Sequence, residues 1–101
     1  MPLATMTTAI ATDVRHNADA SRFEATVEGR LCVADYRLHD GVMTMFHTEV
    51  PRALQGRGIA SQLVRAALDH ARAQGLKVRP DCSYVASWMR RHPESRDLLA
   101  G

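Results

Sequence analysis

The change of hydrophobic period across residues 50–59 constrains this chain more than any other feature. Upstream of it, apolar residues recur at every second position; downstream, they recur at helical spacing. Between the two stands Val50-Pro51-Arg52-Ala53-Leu54-Gln55-Gly56-Arg57-Gly58-Ile59-Ala60-Ser61. A strand that ends at a proline, a glycine-rich turn and a helix start make a cradle for an anion. The first backbone N–H groups of a helix have no internal acceptor and point outward.

The upstream pattern predicts an antiparallel meander. In Arg22–Gly29, Phe23, Ala25 and Val27 alternate with polar residues, giving a half-buried strand. A second strand follows through Leu31, Val33 and Tyr36 and stops at Asp40-Gly41. Asp-Gly between two strand-like runs is a strong hairpin signal. Val42–Pro51 is the next strand, and a weaker early one is expected around Asp13–His16. From Gly58 onward, Ile59, Leu63, Ala66 and Ala67 share one helical face with Val64, Leu68 and Ala71 beside them. Gly75 is placed to close that helix in the left-handed conformation. Leu76–Val78 forms a short strand, and Asp81 or Ser83 is expected to cap a last helix through Trp88 and Met89. The predicted order is β-β-β-β-α-β-α, an α+β fold in which an antiparallel meander leads into a mixed sheet flanked by helices.

With 101 residues, 46% of them apolar and 24% charged, the composition is that of an ordinary globular domain. Residues 1–11 are expected to form a loose tail and residues 12–101 a single domain. That tail has neither the length of a membrane span nor the basic start of a signal peptide. Two scattered cysteines, Cys32 and Cys82, supply no disulfide framework and no zinc site. Free thiols favour the cytoplasm, with no membrane partner. A formal charge of +2, without one concentrated basic face, argues against nucleic acid as a partner. Arg52 and Arg57 beside the loop suit a small phosphorylated ligand better.

Three glycine-loop families compete for the segment. A Walker loop requires a lysine that is missing here. A dinucleotide fold requires several βα units after the loop, and the chain has no room for them. The third reading fits. Gln55-Gly56-Arg57-Gly58-Ile59-Ala60 resembles the Q/R-x-x-G-x-A/G pyrophosphate loop of the GNAT superfamily, the acetyl-coenzyme A-dependent N-acyltransferases. His47-Thr48-Glu49-Val50-Pro51 before it, Pro80-Asp81-Cys82-Ser83-Tyr84 after it, and Arg91-His92-Pro93-Glu94 extend the resemblance over residues 13–99.

The resemblance implies that Gln55, Gly56, Arg57, Gly58, Ile59, Ala60 and Ser61 hold the pyrophosphate of acetyl-coenzyme A. It also implies that the backbone of Glu49 and Val50 receives the pantetheine arm and polarises the thioester carbonyl, with Pro51 ending that contact. An ammonium acceptor must lose a proton before it attacks, so the reaction needs a base. Glu49 and His47, on one strand face by alternation, are the candidates, although a strand histidine is as readily a packed or surface one. Cys82, at a helix start that lowers a thiol pKa, is a candidate nucleophile or acid, or a small core residue. Tyr84 is the second candidate acid. Cys32 and Trp88 are expected in the core, and no metal is expected.

Larger members of the superfamily carry two helices between their first strands and two further strands at the C-terminus. Here only Asn17 to Arg22 separate the first strands, which implies an open acceptor side. The expected activity is acetyl transfer to an exposed primary amine: a protein lysine, a polyamine or a small amine. A non-catalytic coenzyme A-binding module is the alternative. The protein is expected to be a monomer or a weak homodimer.

Overall fold

Both long hairpins turn on a pair of residues at positive φ, Glu28-Gly29 (51° and 76°) and Asp40-Gly41 (50° and 75°). Such two-residue turns twist in the sense that paired strands require. The computed structural model describes residues 12–101, and the tail expected over residues 1–11 lies outside the described residues. The elements are β1 (Arg15–Asn17), β2 (Arg22–Val27), β3 (Arg30–His39), β4 (Val42–Glu49), α1 (Ile59–Gln74), β5 (Lys77–Pro80) and α2 (Ser83–Arg91). Short 3-10 turns cover Arg52–Leu54 and Pro93–Leu98. The strands form one sheet in chain order, antiparallel from β1 to β4 and parallel between β4 and β5. This is the mixed α+β arrangement that the periodicity predicts.

The core is one cluster. Phe23, Ala25, Cys32, Ala34, Tyr36, Met43, Met45 and Val78 meet Leu63, Val64, Ala67, Leu68 and Ala71 of α1 and Val85, Trp88 and Met89 of α2. Gly75 closes α1 with φ 70°, and its N–H donates to the carbonyls of Ala71 and Arg72, the expected left-handed cap. Among the described residues, no helix is long and apolar enough to cross a membrane.

Several local expectations are corrected. Cys32 is buried as expected, together with Ala34 and Tyr36 on the inward face of β3, but Leu31 is 45% exposed. Pairing decides this: Phe23 opposes Ala34 and Ala25 opposes Cys32, and opposed residues share a sheet face. The early strand sits at Arg15–Asn17, slightly later than expected. The residue at the cap position of α2 is Cys82, and neither Asp81 nor Ser83 makes a side-chain cap bond. The 3-10 turn after His92 had no periodic signal. Arg72 pins it through Asp97, with bonds of 2.6 and 3.1 Å.

One irregularity matters for the site. Asp35 pairs with His47 but Tyr36 pairs with Met45, so Phe46 is an extra residue on β4. A bulge of this kind reverses the facing of everything beyond it. Met43 and Met45 face the helices; past Phe46, Thr48 joins Ala34 on that side. His47 and Glu49 join Asp35 and Val33 on the opposite face.

Candidate active site

β4 outlasts its parallel neighbour. Their pairing runs from Val42↔Lys77 to Met45↔Pro80 and then stops. The Cys82 N–H donates to the Met45 carbonyl at 2.9 Å, closing the apex of the gap. Beyond that point, among the described residues, no strand pairs with the backbone of Phe46–Glu49 on the β5 side. A cleft of about 410 Å³ begins there. Thr48, Glu49 and Val50 line one end of it, Gln55, Gly56, Gly58, Ile59 and Ala60 the other, and Tyr84 stands at its side.

The glycine end has the form of an anion cradle. Gly56 and Gly58 take φ of 85° and 78°, and a Cβ built on either would meet nothing within 4 Å. Gly58 caps α1 without a side-chain bond, and no acidic residue occupies the first turn. The N–H groups of Ile59, Ala60 and Ser61 therefore have no acceptor within the helix, with the positive end of the helix dipole behind them. Space, charge and donors fit a pyrophosphate. Ile59 is 3% exposed, so its side chain anchors the loop in the core while its N–H faces the cradle. Gln55 Nε2 donates back to the Val50 carbonyl at 3.0 Å, tying the loop to the end of β4.

Two of the expected loop contacts point elsewhere. Arg57 does not line the cleft; it pairs with Glu28 at 2.6 Å. The Ser61 hydroxyl turns toward α2 and accepts the Trp88 indole N–H at 2.8 Å. An indole can only donate, and Trp88 is 2% exposed, so this bond joins the cradle helix to α2 across the core. Ser61→Ala would leave that buried donor unpaired and is expected to lower stability by about 1–3 kcal/mol, measured by denaturant unfolding. The sequence holds one tryptophan, so its emission reports the same loss directly.

Cys82 lies at the apex, with its thiol 3.3 Å from the Thr48 hydroxyl. Burial pushes the thiol pKa up, but the Thr48 hydroxyl and the backbone N–H groups of Val85, Tyr84 and Thr48 outweigh it. The net effect holds the thiol below its ordinary value. Burial raises both Tyr84, a cleft residue, and Cys32, a core one. A depressed thiol pKa means that the thiolate is populated at lower pH than for a free cysteine. In a pH series with iodoacetamide, read by peptide mass spectrometry, Cys82 is expected to reach half its maximal rate below the free-thiol midpoint. Cys32 should stay unmodified there.

His47 and Glu49 are joined, Nε2 to Oε1 at 3.0 Å. The alternation correctly puts them on one face, but the bulge makes it the face away from Cys82. The site thus has two sides: Thr48, Cys82 and Tyr84 on the helix side, His47 and Glu49 on the open side. Thr48 was not foreseen as a site residue, since its facing depends on the bulge.

The family model for GCN5-related N-acetyl-transferases matches residues 22–98. Protein NATD1 of Mus musculus is 31% identical over 83 residues, covering 79% of this chain and 76% of that protein. The alignments with Protein NATD1 of Gallus gallus and of Homo sapiens are 40% identical over 52 residues and span 47% and 46% of those proteins. The solution structure of a GCN5-like protein from Staphylococcus aureus superposes with a TM-score of 0.71 at 24% identity, covering 89% of each chain. At that identity the likeness is one of fold.

Proposed function

The chain belongs to the GCN5-related N-acetyltransferase family, and we propose that it transfers the acetyl group of acetyl-coenzyme A to an exposed primary amine. The observation that carries this reading is the continuity of one cleft from the glycine cradle to the gap between β4 and β5. A long ligand with a pyrophosphate at one end and a thioester at the other suits such a cleft.

Acetyl-coenzyme A supplies the acetyl group as a thioester, whose carbonyl carbon the amine attacks with loss of the thiolate. Gly56, Gly58, Ile59 and Ala60 hold the pyrophosphate with backbone N–H groups, while Gln55 keeps the loop against Val50. The backbone of Glu49 and Val50, on the strand edge that β5 leaves uncovered, pairs with the pantetheine amides and polarises the carbonyl. Glu49 removes the proton that an ammonium acceptor must lose, and His47, bonded to it, orients the carboxylate. Both reach the acceptor from the open sheet face. Tyr84 returns a proton to the departing sulfur: it lines the cleft, and its raised pKa keeps that proton in place at neutral pH. Cys82, bonded to Thr48, is a better thiolate than acid and tests as the nucleophile of a two-step route.

The deciding experiment incubates the protein with labelled acetyl-coenzyme A and a panel of lysine peptides, polyamines and small amines, with mass spectrometry of products and protein. Acetylated amine supports the transferase. Binding of coenzyme A with no acetylated amine leaves a coenzyme-binding module. An acetyl mass on Cys82 when acceptor is omitted establishes the two-step route.

A further inference from the structure

Arg57 stands between the two glycines of the cradle, where the backbone is softest, yet its side chain leaves the cleft. Its Nη1 donates to Glu28 Oε2 at 2.6 Å, across 29 residues of sequence. Glu28 is an unusual occupant of its own position. With φ 51° beside Gly29 at 76°, it sits where glycine or asparagine is preferred, and a glutamate carries a backbone cost there. Strain retained at a residue whose side chain reaches a binding loop points to a use for that side chain. On the other side of Gly56, the loop is already tied by Gln55 to the Val50 carbonyl. The Glu28–Arg57 pair supplies the second tether.

We infer that Glu28 is a positioning residue for the coenzyme loop: through Arg57 it holds the peptide between Gly56 and Gly58 in its receiving conformation. The inference rests on the reading of this loop as the coenzyme A site. A loop already ordered before binding loses less conformational entropy on taking up its ligand. The tether acts from the β2–β3 turn, so the hairpin becomes part of the binding machinery without touching the ligand.

Calorimetric titration of the full chain with coenzyme A tests this in wild type, Glu28→Asn, Glu28→Gln, Arg57→Gln and the Glu28→Asn/Arg57→Gln double variant. Asparagine relieves the backbone cost, so the melting temperature of Glu28→Asn should equal or exceed wild type. A merely structural role would leave its coenzyme affinity alone. Instead its affinity is expected to fall about three- to five-fold, the reach of one exposed ion pair, and Glu28→Gln should behave alike. In turnover, KM for acetyl-coenzyme A should rise by the same factor while kcat holds. The double variant should bind no more weakly than either single one, because both act through one contact. Unchanged or tighter binding by Glu28→Asn overturns the inference, as does a further loss in the double variant, which would put Arg57 directly on a phosphate. Wild-type protein that takes up no coenzyme A overturns the loop reading itself, a distinct result that removes this inference with it.

Discussion

In Gly58→Val, coenzyme A affinity is expected to fall at least about a hundred-fold, equivalent to roughly 2.7 kcal/mol. Two effects combine. A β-branched residue is a steric outlier at φ 78°, so the cap of α1 must shift and carry its N–H groups with it. The new side chain also adds bulk next to Ile59, where a Cβ at position 58 meets no other described residue within 4 Å, so a ligand held by the cradle would compete with it for that space. Strain alone would be a confounding cause, and Gly75→Val provides the control. Gly75 caps the other end of the same helix at φ 70°, with equally open surroundings. Both variants should lose comparable melting temperature, while only Gly58→Val should lose the calorimetric signal. Equal coenzyme affinity in the two would remove the pyrophosphate from this loop.

The second large effect belongs to Tyr84. Tyr84→Phe keeps the ring and removes the proton, so the cleft keeps its shape while the leaving thiolate loses its donor. General acids of this kind contribute about 10²- to 10⁴-fold, and kcat is expected to fall within that range with KM for acetyl-coenzyme A nearly unchanged. The sign of the alkaline pH effect follows from the raised pKa: the acid form of Tyr84 is the active one, so wild-type activity persists through the neutral range and, on the alkaline side, falls as Tyr84 ionises. An unaltered kcat in Tyr84→Phe, with Cys82→Ala losing turnover, would transfer the acid's role to Cys82.

Much of this molecule was legible in its residues, for identifiable reasons. The period change at the glycine loop, the Asp40-Gly41 turn and the Gly75 cap are local signals, and each appears where local chemistry demands it. The cradle itself could be foreseen because two glycines before a helix have few other uses. What escaped was whatever depends on a partner distant in sequence. On β3, apolar residues occur on both faces, so Cys32 could be expected in the core while the exposure of Leu31 became clear only from pairing with β2. Met43, Met45, His47 and Glu49 recur by twos without interruption, and only the register against Tyr36 and Asp35 reveals Phe46 as an extra residue. The contacts from Glu28 to Arg57 and from Ser61 to Trp88 join segments with no shared local pattern.

The extra residue at Phe46 also bears on how this gene tolerates change. Surface loops absorb insertions and deletions readily, and strands tolerate many single substitutions. A deletion inside a strand ordinarily turns over every side chain beyond it, but loss of the codon for Phe46 would not. His47 would then follow Met45 directly, and the pairs Tyr36↔Met45 and Asp35↔His47 would become consecutive rungs of a regular ladder. Unbroken alternation would keep Thr48 beside Cys82 and leave His47 and Glu49 on the open face. An in-frame deletion of three nucleotides in the middle of this strand would spare both sides of the site.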